Sequence, residues 1–153
     1  KYHHEVTGVN SRLDTIQAAV LDVKLKYLND YITSRNEMAS FYDQAFNDIQ
    51  DLEVPMRADY TDHVFHQYTL KVKNEQRDNL KAYLAELGIP SMVYYPIPLY
   101  KQNAFKTYSR VDFRLSITEE LCQSVLSLPI HTEVDYDEIS FICDSVKRFF
   151  KNS

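Results

Sequence analysis

The feature that most constrains the fold of this chain is a long run of apolar residues at helical spacing. It covers residues 13–49, and spacings of mostly three and four residues separate Ile16, Val20, Val23, Tyr27, Tyr31, Met38, Tyr42, Ala45 and Ile49. This spacing predicts an amphipathic helix. Asp14 and Gln17 have the spacing of a capping box, which predicts the helix start. Because so long a run exceeds the usual length of a globular helix, we expect a bend or break at residues 27–30.

The rest of the chain alternates between strand and helix patterns. β-branched and aromatic residues predict strands at residues 63–72 and 89–95. Between them, Asn74 is a candidate cap for a helix that ends before Gly88. Pro96 and Pro98 lack backbone donors and predict a stiff connection at residues 95–99. A short helix at 118–125, a short strand or extended stop at 126–129 and a final helix that opens at Asp135 complete the pattern.

This order of elements predicts the α+β fold class: a small, mainly antiparallel sheet covered by helices and preceded by the long, bent or broken helix. Only two glycines are present, which argues against an all-β barrel. No glycine-rich phosphate loop is present, which argues against a parallel dinucleotide-binding sheet. A length of 153 residues fits about one domain. We expect a linking segment at 1–13, the helix or helix pair at 14–50, and the small α+β domain at 51–153.

The composition is that of a folded chain that offers no positive field to a polyanion. Hydrophobic residues make up 44% of the sequence and the formal net charge is -5 at pH 7, so nucleic acid is not expected as a partner. The apolar runs are far shorter than the roughly 20 residues that cross a bilayer, and no signal-peptide pattern opens the chain. We therefore expect no membrane segment and a cytoplasmic location. Cys122 and Cys143 are expected to be free, buried thiols.

Polar and titratable pairs supply no self-contained catalytic site. His63 and His66 are three residues apart, but on a predicted strand they point to opposite faces, so no shared metal is expected. The histidine pair at residues 3–4 lacks a third ligand at a diagnostic spacing. The acidic pair at residues 119–120 is interpreted as a solvated helix start. No residue of the chain is predicted to be catalytic.

Two segments carry side chains that suit a ligand. Asn10 and Arg12 place an amide and a guanidinium just before a predicted helix start, where an anion is favoured. A loop that leads into the helix cap explains the same residues. Phenol groups are also presented on or beside the stiff proline segment, by Tyr94, Tyr95 and Tyr100. They suit stacking on a ligand or hydrogen bonding to it, and equally suit aromatic packing.

Several motifs occur together in a characteristic order. Residues 2–19 include Gly-Val-Asn-Ser-Arg-Leu-Asp at 8–14. They are followed by His-Gln-Tyr-Thr-Leu at 66–70, Leu-Gly-Ile-Pro at 87–90, Tyr-Pro-Ile-Pro-Leu at 95–99, Gln-x-Ala-Phe at 102–105 and Leu-Ser-Leu-Pro-Ile-His at 126–131. In these motifs the chain resembles the DegT-type nucleotide-sugar aminotransferases, which depend on pyridoxal phosphate. The resemblance covers essentially the whole chain.

The resemblance implies that the chain is the small C-terminal domain of a fold type I enzyme that works as a homodimer. It places a large domain, with the lysine that bonds covalently to the cofactor, upstream of Lys1, so the chain alone is expected to be inactive. Asn10 is expected to reach across the dimer interface to the cofactor phosphate bound by the other subunit. Arg12 is expected to steady that loop or to approach the anionic substrate. The nucleotide-sugar site is expected to be bordered by Tyr94, Tyr95 and Tyr100.

The implied activity is transfer of an amino group, from glutamate or a similar donor, to a keto-sugar nucleotide in lipopolysaccharide, surface-polysaccharide or antibiotic-sugar biosynthesis. Two departures from the family pattern leave the substrate open, because Tyr100 stands where many relatives have histidine and Ser116 where many have proline. Two further hypotheses also stay open. One is a sugar dehydratase on the same cofactor scaffold, in which histidine replaces the upstream lysine. The other is a non-catalytic binding or regulatory module.

Overall fold

The computed structural model describes residues 3–10, 12–105, 107 and 115–151, so Lys1, Tyr2 and Ser11 of the N-terminal motif lie outside the described residues. The long apolar run forms two consecutive helices, α1 (Thr15–Leu25) and α2 (Leu28–Phe46). Asp14 accepts a hydrogen bond from the backbone of Gln17 at 2.8 Å, and the Gln17 side chain accepts from the backbone of Asp14. The predicted capping box and the predicted break are both confirmed.

The remaining elements are all shorter than α2. In chain order they are β1 (Leu52–Glu53), β2 (Tyr68–Val72), α3 (Arg77–Glu86), two 3-10 turns (Leu99–Lys101 and Asn103–Phe105), α4 (Ser116–Ser124), β3 (Val125–Leu128) and α5 (Tyr136–Lys151). The strands form an antiparallel sheet in the order β1-β2-β3, with Leu52 opposite Val72 and Leu70 opposite Leu126. The predicted α+β fold class is therefore confirmed.

One face of the sheet carries the hydrophobic core. Alternate residues of β2 are buried, as the two-residue repeat of a strand requires. They join apolar side chains of α2, α3, β3 and α5 in one cluster, whose largest fully buried members include Tyr42, Tyr68, Phe46, Leu70, Leu80, Leu84 and Leu126. On the opposite face Lys71 pairs with Glu120 of α4 at 2.8 Å. Thus α2 belongs to the core, whereas α1 has no buried residue.

Helix α3 ends in the glycine cap that the sequence predicts. Gly88 has a φ of +76°, and its N–H donates to Ala85 while the N–H of Ile89 donates to Leu84. These two bonds form a Schellman motif, in which Leu84 and Ile89 also share the core. Glycine suits this position because the left-handed backbone costs other residues about 1–2 kcal/mol.

Three local predictions are wrong. Only Tyr68–Val72 of the predicted strand 63–72 is a strand, because Phe65 turns into the core with a φ of +44° and breaks the extended backbone. Asn74 does not cap α3; its amide instead donates to Asp51 at 2.6 Å. The strand predicted at residues 89–95 is reduced to one bridge between Met92 and Ser127, because Pro90 within the segment and Pro96 directly after it lack backbone donors.

Two further expectations concern the membrane and the thiols. Within the described ranges, no helix combines the length and the apolar character needed to cross a bilayer. Cys122 and Cys143 are both buried and free, as predicted. Burial raises the pKa of the Cys143 thiol to about 12, so it stays protonated at neutral pH.

The two glycines provide a matched test of the cap. Gly88→Ala should lower the free energy of unfolding by about 1–2 kcal/mol, because an added methyl meets no atom and the cost is confined to the left-handed backbone. Gly8→Ala also meets no atom, and its φ is not positive, so it should leave stability unchanged or slightly raised. Urea unfolding followed by circular dichroism measures both. An equal loss in the two variants would contradict this account of the cap.

Candidate functional site

The loop before α1 carries the two residues, Asn10 and Arg12, that are predicted from the sequence to suit an anion. Asn10 and Arg12 are both exposed, and neither makes a hydrogen bond or ion pair within the described ranges. Leu13, which follows them, has a φ of +70°, a conformation that is rare for a branched residue and concentrates at functional sites. The next residue, Asp14, caps α1, whose start adds a positive potential. Donor side chains and helix start therefore suit an anion.

Hydrogen bonds hold the beginning of this loop to a distant part of the chain. The His4 N–H donates to Oε1 of Gln102 at 2.8 Å, and the His4 carbonyl accepts from the N–H of Ala104 at 2.9 Å. The Asn103 side chain donates to Glu5 at 2.8 Å. We call these contacts between residues 4–5 and 102–104 the N-terminal clamp. It places residues 4–5, at the start of the loop that carries Asn10, beside the segment that follows the predicted substrate tyrosines.

The first two tyrosines lie just after an anchor on the sheet. Met92 and Ser127 exchange two backbone hydrogen bonds of 2.9 Å, which fixes the chain two residues before Tyr94. Tyr94 is half-buried and lines a cavity of about 270 Å³, whereas Tyr95 is 69% exposed. The chain then passes Pro96 and the buried Pro98 into the first 3-10 turn.

The third tyrosine is held by an acidic residue of α4. The Tyr100 hydroxyl donates to Oε1 of Glu119, and Nζ of Lys101 lies 3.0 Å from the same oxygen. The Glu119 side chain is only 13% exposed, so its interpretation as part of a solvated helix start is wrong. The hydrogen bond to Glu119, with a smaller contribution from burial, raises the pKa of Tyr100. This hydrogen bond fixes the Tyr100 ring, and the hydroxyl proton is donated to Glu119.

Sequence analysis missed the roles of two residues that organise this region. Glu119 was noted only in an acidic pair and Gln102 only in a family motif, because their partners lie 19 and 98 residues away in the chain. Tyr100 lies two residues before Gln102 of the N-terminal clamp. No described hydrogen bond or ion pair joins Asn10 or Arg12 to a tyrosine, and the roles of all five predicted site residues stay predictions.

The two histidine pairs do not form a metal site within the described residues, although His4 belongs to the N-terminal clamp. His63 is not in a strand; its Nδ1 accepts a hydrogen bond from the N–H of Phe65 at 2.9 Å. His66 is exposed and lines the same cavity as Tyr94, together with His131. Within the described part of the chain, no group of three or more His, Cys, Asp or Glu residues has the arrangement of a metal site.

Comparison with protein families defines the class of this chain. The model of the DegT/DnrJ/EryC1/StrS aminotransferase family matches residues 1–147. The chain therefore belongs to this family of aminotransferases, and the resemblance inferred from its motifs is confirmed.

Individual relatives and a solved structure agree with this assignment. The chain is 37% identical over 99% of its length to the pleiotropic regulatory protein of Geobacillus stearothermophilus. It is 36% identical over 97% of its length to the dTDP-3-amino-3,6-dideoxy-alpha-D-galactopyranose transaminase of Aneurinibacillus thermoaerophilus. The chain spans about 40% of the length of these relatives, 41% of the first and 40% of the second. The structure of S. venezuelae DesV in complex with a ketimine intermediate matches with a TM-score of 0.85 and 32% identity, over 99% of this chain and 40% of that chain.

The raised pKa of Tyr100 leads to a test of its partner. Glu119→Gln should lower this pKa toward the usual value of about 10, because the carboxylate that accepts the phenol proton is gone. In the unchanged chain the hydrogen bond contributes fully below the usual tyrosine pKa and is lost as the pH rises through the raised one. Titration of the ¹³Cζ resonance, assigned with Tyr100→Phe, measures the shift. Glu120→Gln, which alters the neighbouring carboxylate bound to Lys71, should leave the Tyr100 pKa unchanged.

Proposed function

We propose that this chain is the C-terminal part of a pyridoxal-phosphate-dependent aminotransferase that transfers an amino group, from glutamate or a similar donor, to a keto-sugar nucleotide. The single observation that carries the proposal is the family match across residues 1–147. The transaminase from Aneurinibacillus thermoaerophilus acts, by its name, on a dTDP-linked amino sugar, which supports a nucleotide sugar as the substrate. Lipopolysaccharide, surface-polysaccharide or antibiotic-sugar biosynthesis is the proposed setting, and the cytoplasm the proposed location.

The donor groups of this chain fit the phosphate of that cofactor. Asn10 and Arg12 are exposed donors just ahead of the α1 N-terminus, where an anion is stabilised. Pyridoxal phosphate would supply the group that carries nitrogen between the amino donor and the sugar. In our proposal the amide of Asn10 donates to a phosphate oxygen bound by the other subunit of a homodimer. Arg12 steadies the loop or approaches the anionic substrate.

The tyrosine segment is proposed to border the sugar nucleotide. The half-buried Tyr94 and the exposed Tyr95 offer hydroxyl and ring surface, and Tyr100 offers a ring that Glu119 holds in place. Aromatic rings suit contact with the base or the apolar face of a sugar, while the hydroxyls suit its polar edge. The lysine that bonds the cofactor is proposed to lie upstream of this chain, so the chain alone is proposed to be inactive.

The exposed surface of α1 supports the proposal that this chain packs against partners. A groove between α1 and α2 is lined by apolar side chains that include Leu21, Leu25, Leu28 and Ile32. The Nε of Arg35, which also lines the groove, is buried and has no hydrogen-bond partner within the described residues. We propose that the large domain and the second subunit cover this groove. We also propose a division into a linking segment at 1–13, an interdomain helix pair at 14–50 and a small domain at 51–153. The lack of buried residues in α1 supports an interdomain place for that helix, whereas α2 packs into the core of the small domain.

A regulatory role is the second candidate function. It is favoured by the relative from Geobacillus stearothermophilus, whose name is pleiotropic regulatory protein.

The decisive experiment loads the full-length protein with pyridoxal phosphate and glutamate and offers a panel of keto-sugar nucleotides. Release of 2-oxoglutarate that depends on one of these sugars supports the aminotransferase. Cofactor binding without turnover on any sugar favours the regulatory role, and elimination of water from the sugar without net amino transfer favours a dehydratase.

The proposed role of Asn10 gives a mutational prediction. In the full-length enzyme, Asn10→Ala should weaken cofactor binding by about 1.5–3 kcal/mol, the contribution of a hydrogen bond to a charged group. Equilibrium titration of the apoenzyme with pyridoxal phosphate measures the change. Asn79→Ala, which removes an exposed amide that bonds only locally to Gln76, is the matched control and should have no effect. Equal affinities for Asn10→Ala and the wild type would contradict the proposed role.

The bare face of α1 predicts the behaviour of the isolated chain. Because apolar side chains line an open groove, the 153-residue chain should self-associate as its concentration rises. Sedimentation velocity measures this association. Leu25→Glu, inside the groove, should weaken it, whereas Lys26→Glu, one residue further along, should not. A compact monomer at all concentrations would contradict the prediction.

A further inference from the structure

The N-terminal clamp depends on one buried side chain. Gln102 is only 5% exposed, and its carboxamide oxygen accepts from the His4 N–H at 2.8 Å. The His4 carbonyl accepts from the N–H of Ala104 at 2.9 Å. Both backbone hydrogen-bonding groups of His4 are therefore used by one short stretch of the chain. The third bond of the clamp, from Asn103 to Glu5, is exposed and contributes less.

The clamp closes one end of the loop that carries Asn10. The other end is closed by the capping box, in which Asp14 and Gln17 exchange two hydrogen bonds. Between the two anchors, residues 6–10, 12 and 13 make no hydrogen bond to another described residue. The conformations open to Asn10 are thus limited mainly by the two ends, since loop freedom grows when an end is released.

The same buried side chain also adjoins the proposed substrate side. Gln102 follows Tyr100 and Lys101, and both of those residues bind Glu119 of α4. The backbone N–H of Gln102 also donates to the carbonyl of Leu99 at 3.0 Å, which fixes it to the turn that carries Tyr100. Gln102 therefore has a rigid support on one side and the Asn10 loop on the other.

We propose that Gln102 is a positioning residue that holds Asn10 in place for the cofactor phosphate. This inference rests on the proposed function. Gln102 itself touches neither cofactor nor substrate; it acts through the His4 backbone on the loop. Its loss leaves Asn10 chemically intact and widens the range of positions that the Asn10 amide occupies.

The test uses the full-length enzyme and a double-mutant cycle. Gln102→Met keeps the side-chain volume and removes the acceptor, Gln102→Glu keeps an acceptor oxygen, and Gln123→Met makes the same chemical change at an exposed position of α4. Gln102→Met should raise the Kd for pyridoxal phosphate about five- to tenfold, the effect of one lost hydrogen bond. Gln102→Glu should restore most of the affinity, and Gln123→Met should not change it.

Combination with Asn10→Ala separates positioning from general weakening. If Gln102 acts through Asn10, Gln102→Met should change the Kd less than about twofold in the Asn10→Ala background, because the contact that it positions is already gone. Amide hydrogen exchange of the cofactor-free protein gives a second readout. The amides of His4 and Ala104, which are hydrogen-bonded in the clamp, should exchange about tenfold faster in Gln102→Met, while the amides of the core strands stay unchanged.

Each outcome decides a different point. Additive effects of the two substitutions, or unchanged exchange at the His4 and Ala104 amides, would overturn the positioning role while leaving Asn10 as a cofactor ligand. An Asn10→Ala variant with wild-type affinity would overturn both assignments. Absence of transamination by an enzyme that shows the expected cycle would refute the proposed reaction and leave the role of Gln102 standing, because cofactor affinity is measured apart from turnover.

Discussion

The packing of Tyr42 against the sheet is the interaction on which the rest of the chain depends. Its ring lies 4.8 Å from that of Tyr68 on β2 and stacks on Phe46 at 5.6 Å. Its hydroxyl donates to the carbonyl of Pro129, directly after β3, at 2.9 Å. One side chain thus joins α2 to two neighbouring strands and satisfies a buried polar group at the same time. The Tyr68 hydroxyl adds a second link to α2 through Asp43 at 2.7 Å.

Features with a local cause were predictable from the sequence. The helix pair follows from apolar spacing, its start from Asp14 and Gln17, and the end of α3 from Gly88. Each of these depends on residues within a few positions of one another. The strand limits failed for the opposite reason, because the left-handed turn at Phe65 is set by burial of its ring in a core that the local sequence does not describe.

The features of the candidate site also fall into those that the sequence predicts and those that it does not. Asn10 and the three tyrosines could be selected as single residues with useful chemistry, and the family motifs gave them roles. The roles of Glu119 and Gln102 could not be predicted, because a glutamate early in a helix is ordinary in its local context and the motif at 102–105 does not reveal the partner of Gln102. Only the fold reveals that Glu119 holds Tyr100 and that Gln102 holds His4. Hydrogen-bond partners that lie far apart in the chain produce no periodic pattern in the sequence.

The reach of the N-terminal clamp has a consequence for the order of assembly. Its central hydrogen bond joins residues 98 positions apart, and contacts of such separation form late because a long stretch of chain must first be closed. During synthesis, residue 4 leaves the ribosome well before its partner has been made. The loop ahead of α1 therefore acquires its shape only after residues 102–104 have emerged, so the position of the proposed ligand Asn10 depends on residues made much later.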